Sequence, residues 1–400
     1  MNNTQNKIYE EMLNLPLVEV TKVEMNEKQV KIYCRSKLEE QICPNCLKKS
    51  GLVNQSYNRR IRDMDLIGRK VYLILEVRQF HCSDCNRYFS EQHSFVGKNG
   101  KVTKRQEKWI FEICHKQGIK QVAALVDMGY QQVETIYYKY AQSLVNMQDR
   151  YAQVSRLGID EFALRKGHKN FACVLVDLDK GWVIDVLPYR DKKLLISHFE
   201  SKGRPFLNQI EVLTCDMWEA YVSIGRALFP NALIVIDRFH WMKHLSNAVD
   251  AQRKSLRKEY PEEECFKNLK WKLLKNKADL SVDEQKELQI AFSKAAQLEE
   301  IYEMKNTFQA IFNLDYSKSL ADQQIQYWIQ FAQKLNNNYL NKFIKTFNNW
   351  KEWIMNYFEG KYSNGVVEGL NNAIKTIKRH TYNMLNFDRF RARILIESMD

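Results

Sequence analysis

The chain has 400 residues, 45% of them hydrophobic and 27% charged, enough for roughly two to four globular domains with sizeable cores. A formal net charge of +13 and a sequence pI of about 9.1 favour a polyanionic partner, most simply nucleic acid. The longest apolar runs, "FACVLV" and "ALIVI", are strand length, and no basic segment leads into an apolar one at the N-terminus, so the sequence predicts neither a membrane span nor a secretory signal.

Residues 1–35 are read as N-terminal strands, two short ones falling within 17–35. Residues 36–95 carry "CPNC" at 43–46 and "CSDC" at 82–85. Two residues between cysteines let both thiolates reach one ion, and two such turns complete a tetrahedral site. The strand-like "KVYLILEVRQFHC" between the pairs carries the second back to the first. Nine cysteines, an odd number, two pairs of them so spaced, point to a reducing compartment and to Zn²⁺ on Cys43, Cys46, Cys82 and Cys85 rather than to disulfides. Four thiolates leave no open position, so this zinc is structural. His81 is an alternative ligand, and Cys34, Cys114, Cys173, Cys215 and Cys265 read as buried or partly buried thiols.

Residues 96–150 are helical and basic. "IKQVAALVDMGYQQVETIYYKYAQ" (119–142) reads as helix, turn, helix. Val122, Leu125 and Val126 give the first helix an apolar face, Gly129 is suited to a left-handed turn, and Val133, Ile136 and Tyr137 face back. Gln131, Gln132, Glu134 and Thr135 are then exposed near the start of the second helix, as in a helix-turn-helix presented to a major groove. An ordinary helical hairpin has the same pattern; the basic chain and the preceding cysteine module favour DNA.

From 151 to 245 the chain alternates: strands at 156–163, 171–178 and 182–188, a helix, a strand at 210–215, a helix, a strand at 232–237. A right-handed crossover places the fourth strand beside the first in a mixed sheet flanked by helices. Asp160 and Asp216 then sit at neighbouring strand ends, where α/β sheets bind ligands. Asp216 and Asp237 each also suit a helix N-cap. Residues 246–354 are an all-α insertion: there is no glycine from 226 to 359, and 246–354 holds one proline, Pro261. Ser281 and Glu284 form a capping box, with Leu288, Phe292, Ala295, Leu298 and Ile301 following at helical spacing. Residues 355–400 return with "YSNGVVEGLNNAIKTIKRH", a helix starting at Ser363-Asn364-Gly365. Val367, Leu370, Ile374 and Ile377 form its apolar stripe; Glu368, Asn371, Asn372, Lys375 and Arg379 lie on the other side. Six basic residues and one acidic residue, Asp388, lie between 371 and 395, so phosphates suit this face.

Asp160 in "GIDEFALRKGHKNFACVLVD", Asp216 in "TCDMWEAY" and Glu368 in "NGVVEGLNNAIKTIKR" together resemble the Asp-Asp-Glu (DDE) motifs of bacterial insertion-sequence transposases, and the chain most resembles the ISL-three family. That resemblance covers nearly the whole chain, because the family also begins with a zinc module and a helix-turn-helix. It implies an RNase H-like mixed sheet as the α/β catalytic core, interrupted by the all-α insertion. It implies a D-x-x-H, matched by Asp237-Arg-Phe-His240, and it selects Asp160 over its neighbour Glu161. Three carboxylates at one sheet edge repel unless cations neutralise them, and hard oxygen ligands suit Mg²⁺ or Mn²⁺. Two such ions would serve in-line phosphoryl transfer with no covalent protein–DNA intermediate. The expectation is a bacterial, cytoplasmic, nucleoid-associated DDE transposase that binds terminal inverted repeats and target DNA, cleaves ends and transfers strands. Asp160, Asp216 and Glu368 are its catalytic metal ligands. Gln131, Gln132, Thr135, Lys375, Lys378 and Arg379 contact DNA, and Glu161, Asp237 and His240 brace the site. Pairing two ends calls for a homodimer or larger assembly. The rival readings are a non-catalytic DNA-binding regulator descended from a transposase, and an RNase H-fold nuclease.

Overall fold

The computed structural model describes residues 3–147, 149–164, 170–380 and 386–398. They divide into two compact units, Met1–Leu144 and Val145–Asp400.

The first unit opens with a helix, α1 (Asn3–Leu13), where strands alone were expected. Strands β1 (Val18–Met25) and β2 (Gln29–Ser36) follow, then two-residue strands β3 (Gln41–Ile42) and β4 (Lys49–Ser50), the long pair β5 (Val53–Leu66) and β6 (Arg69–Cys82), and β7 (Arg87–Ser90). Ile67 and Gly68 both take positive φ, 48° and 72°, which is the two-residue turn that matches strand twist. The sheet runs β1-β2-β6-β5 with β7 beside β6. Its β2–β6 contact is parallel, so segments 1–35 and 36–95, read separately in the sequence, share one sheet. Alternation along β6 buries Val71, Leu73, Leu75 and Val77 with Val18, Val20, Val30 and Ile32.

Helices α2 (Lys104–Lys116), α3 (Ile119–Leu125) and α4 (Tyr130–Met147) complete this part of the chain. The hydroxyl of Thr103 caps α2 by accepting from the Gln106 amide. Val122, Val126, Val133, Ile136 and Tyr137 are buried, and the Phe111 ring lies 5.4 Å from that of Tyr137. Two details differ from expectation. Leu125 is 60% exposed, because it ends α3 facing outward. The left-handed turn residue is Asp127 (φ 49°), not Gly129; a short polar side chain tolerates that conformation. Gly129 instead donates its N–H to Gln132 Oε1 at 3.3 Å.

The second unit holds β8 (Arg156–Ala163), β9 (Phe171–Asp177), β10 (Trp182–Leu187), α5 (Lys192–Glu200), α6 (Gly203–Gln209), β11 (Val212–Cys215), α7 (Glu219–Leu228) and β12 (Leu233–Ile236). The sheet order is β10-β9-β8-β11-β12. The first three strands are antiparallel meanders, and β11 lies parallel to both β8 and β12, as the crossover argument expects. Its strands are nearly continuous apolar runs because helices cover both faces.

From β12 the chain enters α8 (Arg238–Glu259), α9 (Lys270–Leu274), α10 (Val282–Lys294), α11 (Ala296–Asn313), α12 (Lys318–Lys334) and α13 (Asn338–Met355). The Ser281–Glu284 capping box is formed. The apolar run beyond it spans two helices, because Ala295 (φ −150°) breaks α10 from α11. Phe308 sits among Trp241, Trp328, Phe343 and Phe347, with ring centroids 5.7, 4.5, 5.3 and 5.3 Å away. These residues belong to the same continuous core as Leu157, Ile159 and Leu213 of the sheet, so the helices rest on the sheet rather than forming a separate body.

The return is pinned by asparagines. Asn356 donates to the Ile234 carbonyl of β12 at 2.7 Å. Then come α14 (Gly365–His380) and α15 (Phe387–Glu397), the latter tied to β10 by Arg391 Nε on Asp185 Oδ1 at 2.5 Å. Helix α14 lies close against β8 at Gly158, where a Cβ would meet Leu178 Cδ2 and Val367 Cγ2, each at 2.9 Å. Val367 is fully buried and stiff at χ1, so it has little room to give. Gly158→Ala is expected to cost about 1–3 kcal/mol of stability; an unchanged thermal midpoint contradicts this close approach.

Candidate active site

The pairing registers determine what meets at the sheet edge. Strand β8 pairs with β11 only as far as Gly158–Thr214, and β11 pairs with β12 as far as Cys215–Ile236. Continued along the same registers, Asp160, Asp216 and Asp237 stand in one row across three parallel strands. The Asp160 and Asp216 carboxyls share a hydrogen bond. Burial, then the charge of Asp216, lifts the Asp160 carboxyl to about 7. Neither Asp216 nor Asp237 acts as a helix cap. Helix α7 begins after Trp218, and Asp216 Oδ1 instead lies 2.8 Å from His240 Nδ1. Asp237 occupies the cap position of α8 without capping it, and its Oδ1 accepts from the Asn364 backbone N–H at 3.0 Å. Burial raises the Asp237 carboxyl. Burial pulls the His240 imidazole down, but its hydrogen bond to Asp216 and the surrounding carboxylates outweigh this and raise it.

Glu161 points to the opposite face of β8 from Asp160 and is engaged: Arg190 Nη1 lies 2.7 Å from both of its carboxylate oxygens. The Arg190 guanidinium also stacks over the Phe171 ring at 4.3 Å. That answers the adjacency of two acids in "GIDEFA": one faces Asp216, the other is neutralised.

Glu368 lies exposed in the first turn of α14, between two asparagines that the sequence reading did not single out for this role. Asn364 accepts from the Thr214 hydroxyl and donates to the Ile159 carbonyl at 3.4 Å. Asn371 is buried, not on the exposed side as expected, and its Nδ2 donates to Asp160 Oδ2 at 2.5 Å. Residues 364, 368 and 371 fall on one side of a helix. Glu368 itself is exposed, and among the described residues it does not join the aspartates in a group close enough to share one ion; the cysteines alone form such a group. Sequence reasoning missed the asparagines because their partners lie 150, 205 and 211 residues away. Among the basic candidates, Lys375 and Arg379 are exposed, with Lys375 Nζ 3.1 Å from Asn372 Oδ1, whereas Lys378 is half-buried and donates to the Ala163 carbonyl at 2.7 Å.

In the first unit the sulfurs of Cys43, Cys46, Cys82 and Cys85 all lie within 4.8 Å of one another. Cys43 and Cys46 sit in the turn between β3 and β4; Cys82 ends β6 and Cys85 lies in the turn to β7. Each pair is followed by a left-handed residue, Leu47 (φ 62°) and Asn86 (φ 53°), so the two knuckles close alike. Four converging thiols suit a structural zinc. His81 is not among them: its Nε2 pairs with Asn86 Oδ1 at 2.9 Å. On α4, Gln131, Gln132 and Thr135 are exposed, though Gln132 also caps Gly129 and the Thr135 hydroxyl donates to the Gln131 carbonyl at 2.7 Å.

The Asp160–Asp216 pair carries a pH consequence. A carboxyl whose folded pKa is raised from 3.8 to about 7 holds a proton that the unfolded chain has already released, so its contribution to stability falls as pH rises through that window. A cation ligated by Asp160 would have to displace that proton, so its Mn²⁺ affinity would rise with pH up to about 7 and then level off, with proton release measurable by calorimetry in buffers of different ionisation enthalpy. A pH-independent affinity contradicts it.

Comparison with known proteins agrees with both units. A family described as a transposase of the ISL-three DDE type matches residues 157–394, and one described as the zinc finger of the transposases IS204, IS1001, IS1096 and IS1165 matches residues 39–85. The chain is 25% identical over 372 residues to the transposase for insertion sequence element IS1001 of Bordetella parapertussis, covering 92% of this chain and 91% of that protein. It is 26% identical over 146 residues to the transposase for insertion sequence element IS1557 of Mycobacterium tuberculosis, covering 36% of this chain and 32% of that protein. A 74-residue stretch is 35% identical to a Lactococcus lactis protein named ATP-dependent protease, but spans only 17% of this chain and 24% of that protein. With the transposase match running over more than half of its length and the zinc finger ahead of it, the chain belongs to the ISL-three family of DDE insertion-sequence transposases.

Proposed function

We propose that this chain binds the terminal inverted repeats of an insertion sequence and catalyses divalent-cation-dependent cleavage of the DNA ends and their transfer to target DNA. Asp160, Asp216 and Glu368 are the cation ligands, on a sheet of RNase H-like order. The observation that carries this reading is the row of Asp160, Asp216 and Asp237, with α14 docked onto Asp160 beside Glu368. The donor set fits: carboxylate oxygens at one sheet edge, one pair already sharing a hydrogen bond, suit Mg²⁺ or Mn²⁺. Bound cations supply a deprotonated attacking oxygen and neutralise the leaving oxygen in an in-line displacement.

The protein's own groups do the rest. His240 holds Asp216 in place, Asn364 holds Asp237, and Arg190 keeps Glu161 from adding a further negative charge to the edge. Helices α3 and α4 act as a helix-turn-helix that reads DNA through Gln131, Gln132 and Thr135, and Lys375, Lys378 and Arg379 track phosphates. Lys378 reaches a phosphate only by leaving the Ala163 carbonyl. Two ends are held by two or more copies of the chain, in the bacterial cytoplasm at the nucleoid. The test is a labelled terminal-repeat duplex incubated with the chain and Mg²⁺, alongside a pre-cleaved 3′-end with target DNA. Nicking at the repeat boundary and joining of the 3′-end are expected. Binding without nicking makes the chain a regulator, and nicking without joining makes it a nuclease.

A further inference from the structure

We propose that Asn371 is itself a ligand of the cation site, contributing its side-chain carbonyl oxygen beside Asp160; this rests on the carboxylate site proposed above. Three observations converge. Asn371 is 7% exposed, and its Nδ2 lies 2.5 Å from Asp160 Oδ2, so the amide sits at the carboxylate row. Its Oδ1 is buried and has no hydrogen-bond partner among the described residues. A buried carbonyl oxygen without a partner is unfavourable, and buried polar atoms in folded proteins are nearly always satisfied. Finally, Asn371 follows Glu368 by three residues, so α14 presents a carboxylate and an amide oxygen on neighbouring positions of one face.

Hard divalent cations take neutral amide oxygens as readily as they complete a shell with water. An oxygen at Asn371 adds a ligand without adding charge, at an edge where Asp160, Asp216 and Asp237 already crowd negative charge. A leucine would fill the same buried volume and leave no unsatisfied atom, so packing alone does not call for asparagine here. A purely bracing role accounts for the Nδ2 contact and leaves Oδ1 unexplained.

The test uses the full-length, zinc-loaded chain and cation binding rather than turnover. Mn²⁺ affinity is read by electron paramagnetic resonance for the parent chain, Asn371→Leu, Asn371→Cys and Asp216→Asn. Asn371→Leu is expected to weaken Mn²⁺ binding at least about tenfold. Asn371→Cys is expected to lose Mg²⁺ affinity as Asn371→Leu does, yet to bind Cd²⁺ at least about tenfold more tightly than Asn371→Leu, because a thiolate at a ligand position exchanges hard for soft preference. The leucine variant, measured under the same conditions, subtracts any Cd²⁺ taken up at the four-cysteine site. Parent-like Mn²⁺ affinity in Asn371→Leu, or equal Cd²⁺ binding by the leucine and cysteine variants, overturns the assignment. Asp216→Asn shows which claim has fallen: if it alone loses Mn²⁺, only the Asn371 assignment fails; if it too binds Mn²⁺ like the parent, the carboxylate site itself fails. Should Asn371→Leu not fold, the Mg²⁺-against-Cd²⁺ contrast between Asn371→Cys and the parent decides the matter.

Discussion

Asp216→Asn is expected to reduce cleavage of a terminal-repeat duplex in Mg²⁺ by at least about 10³-fold, equivalent to about 4 kcal/mol of transition-state stabilisation. The change keeps the side chain's shape and removes its charge. Asp216 stands in the middle of the row, sharing a hydrogen bond with Asp160 and holding His240 at 2.8 Å. Removing its charge takes a ligand from any cation on that edge, and also removes the group that raises His240. The fold should be little affected, because relieving repulsion between Asp160 and Asp216 offsets the weakened contact to His240. DNA binding measured without divalent cation should stay within about twofold of the parent, since its candidate contacts lie elsewhere. The contrast between retained binding and lost cleavage is what a catalytic carboxylate predicts; parallel losses would indicate a structural defect instead.

Cys82→Ser is expected to abolish zinc binding and unfold the knuckle region of the first unit. Structural zinc in small modules contributes about 10–16 kcal/mol of apparent binding free energy, which is also folding free energy. The segment from β3 to β4 has little else to hold it: two-residue strands, with Ile42 61% and Leu47 76% exposed. Cys82, by contrast, ends β6, whose apolar residues belong to a separate buried cluster. The loss should therefore be local. Zinc content should fall to none per chain, and amides around Cys43 and Cys46 should lose hydrogen-exchange protection while those of Leu73 and Leu75 keep it. Retention of protected knuckles without zinc contradicts the role of the metal.

How much could be read beforehand follows from the range of the interactions. The cysteine tetrad was legible because each half is a three-residue spacing that means the same thing in any fold. The strands from 156 to 236 were legible because apolar runs bounded by turn residues and a right-handed crossover leave few arrangements. Asp216 and Asp237 were legible as strand-end acids, but not as members of one row; that depends on registers that bring together residues far apart in the chain. Asn371 looked exposed because helical spacing says which residues share a face, not which face meets the sheet. Leu125 failed for the same reason: it closes α3 at a spacing that suits the face of Val122, yet it turns outward while Val122 and Val126 are buried. The break at Ala295 left no mark, since an apolar alanine fits a helix as well as a helix junction. Glu161 beside Asp160 was undecidable from alternation, because both faces of this sheet are covered; Arg190, 29 residues later, decides it.

The central claim is that Asp160, Asp216 and Glu368 together hold the cations on which DNA cleavage depends. It is tested most directly by Mn²⁺ anomalous diffraction from the full chain bound to its terminal-repeat DNA. The account predicts anomalous peaks ligated by Asp160 and Asp216, with Glu368 of α14 completing the site against a DNA phosphate. Peaks elsewhere, or ordered DNA at this edge with none of the three carboxylates on a cation, would contradict it.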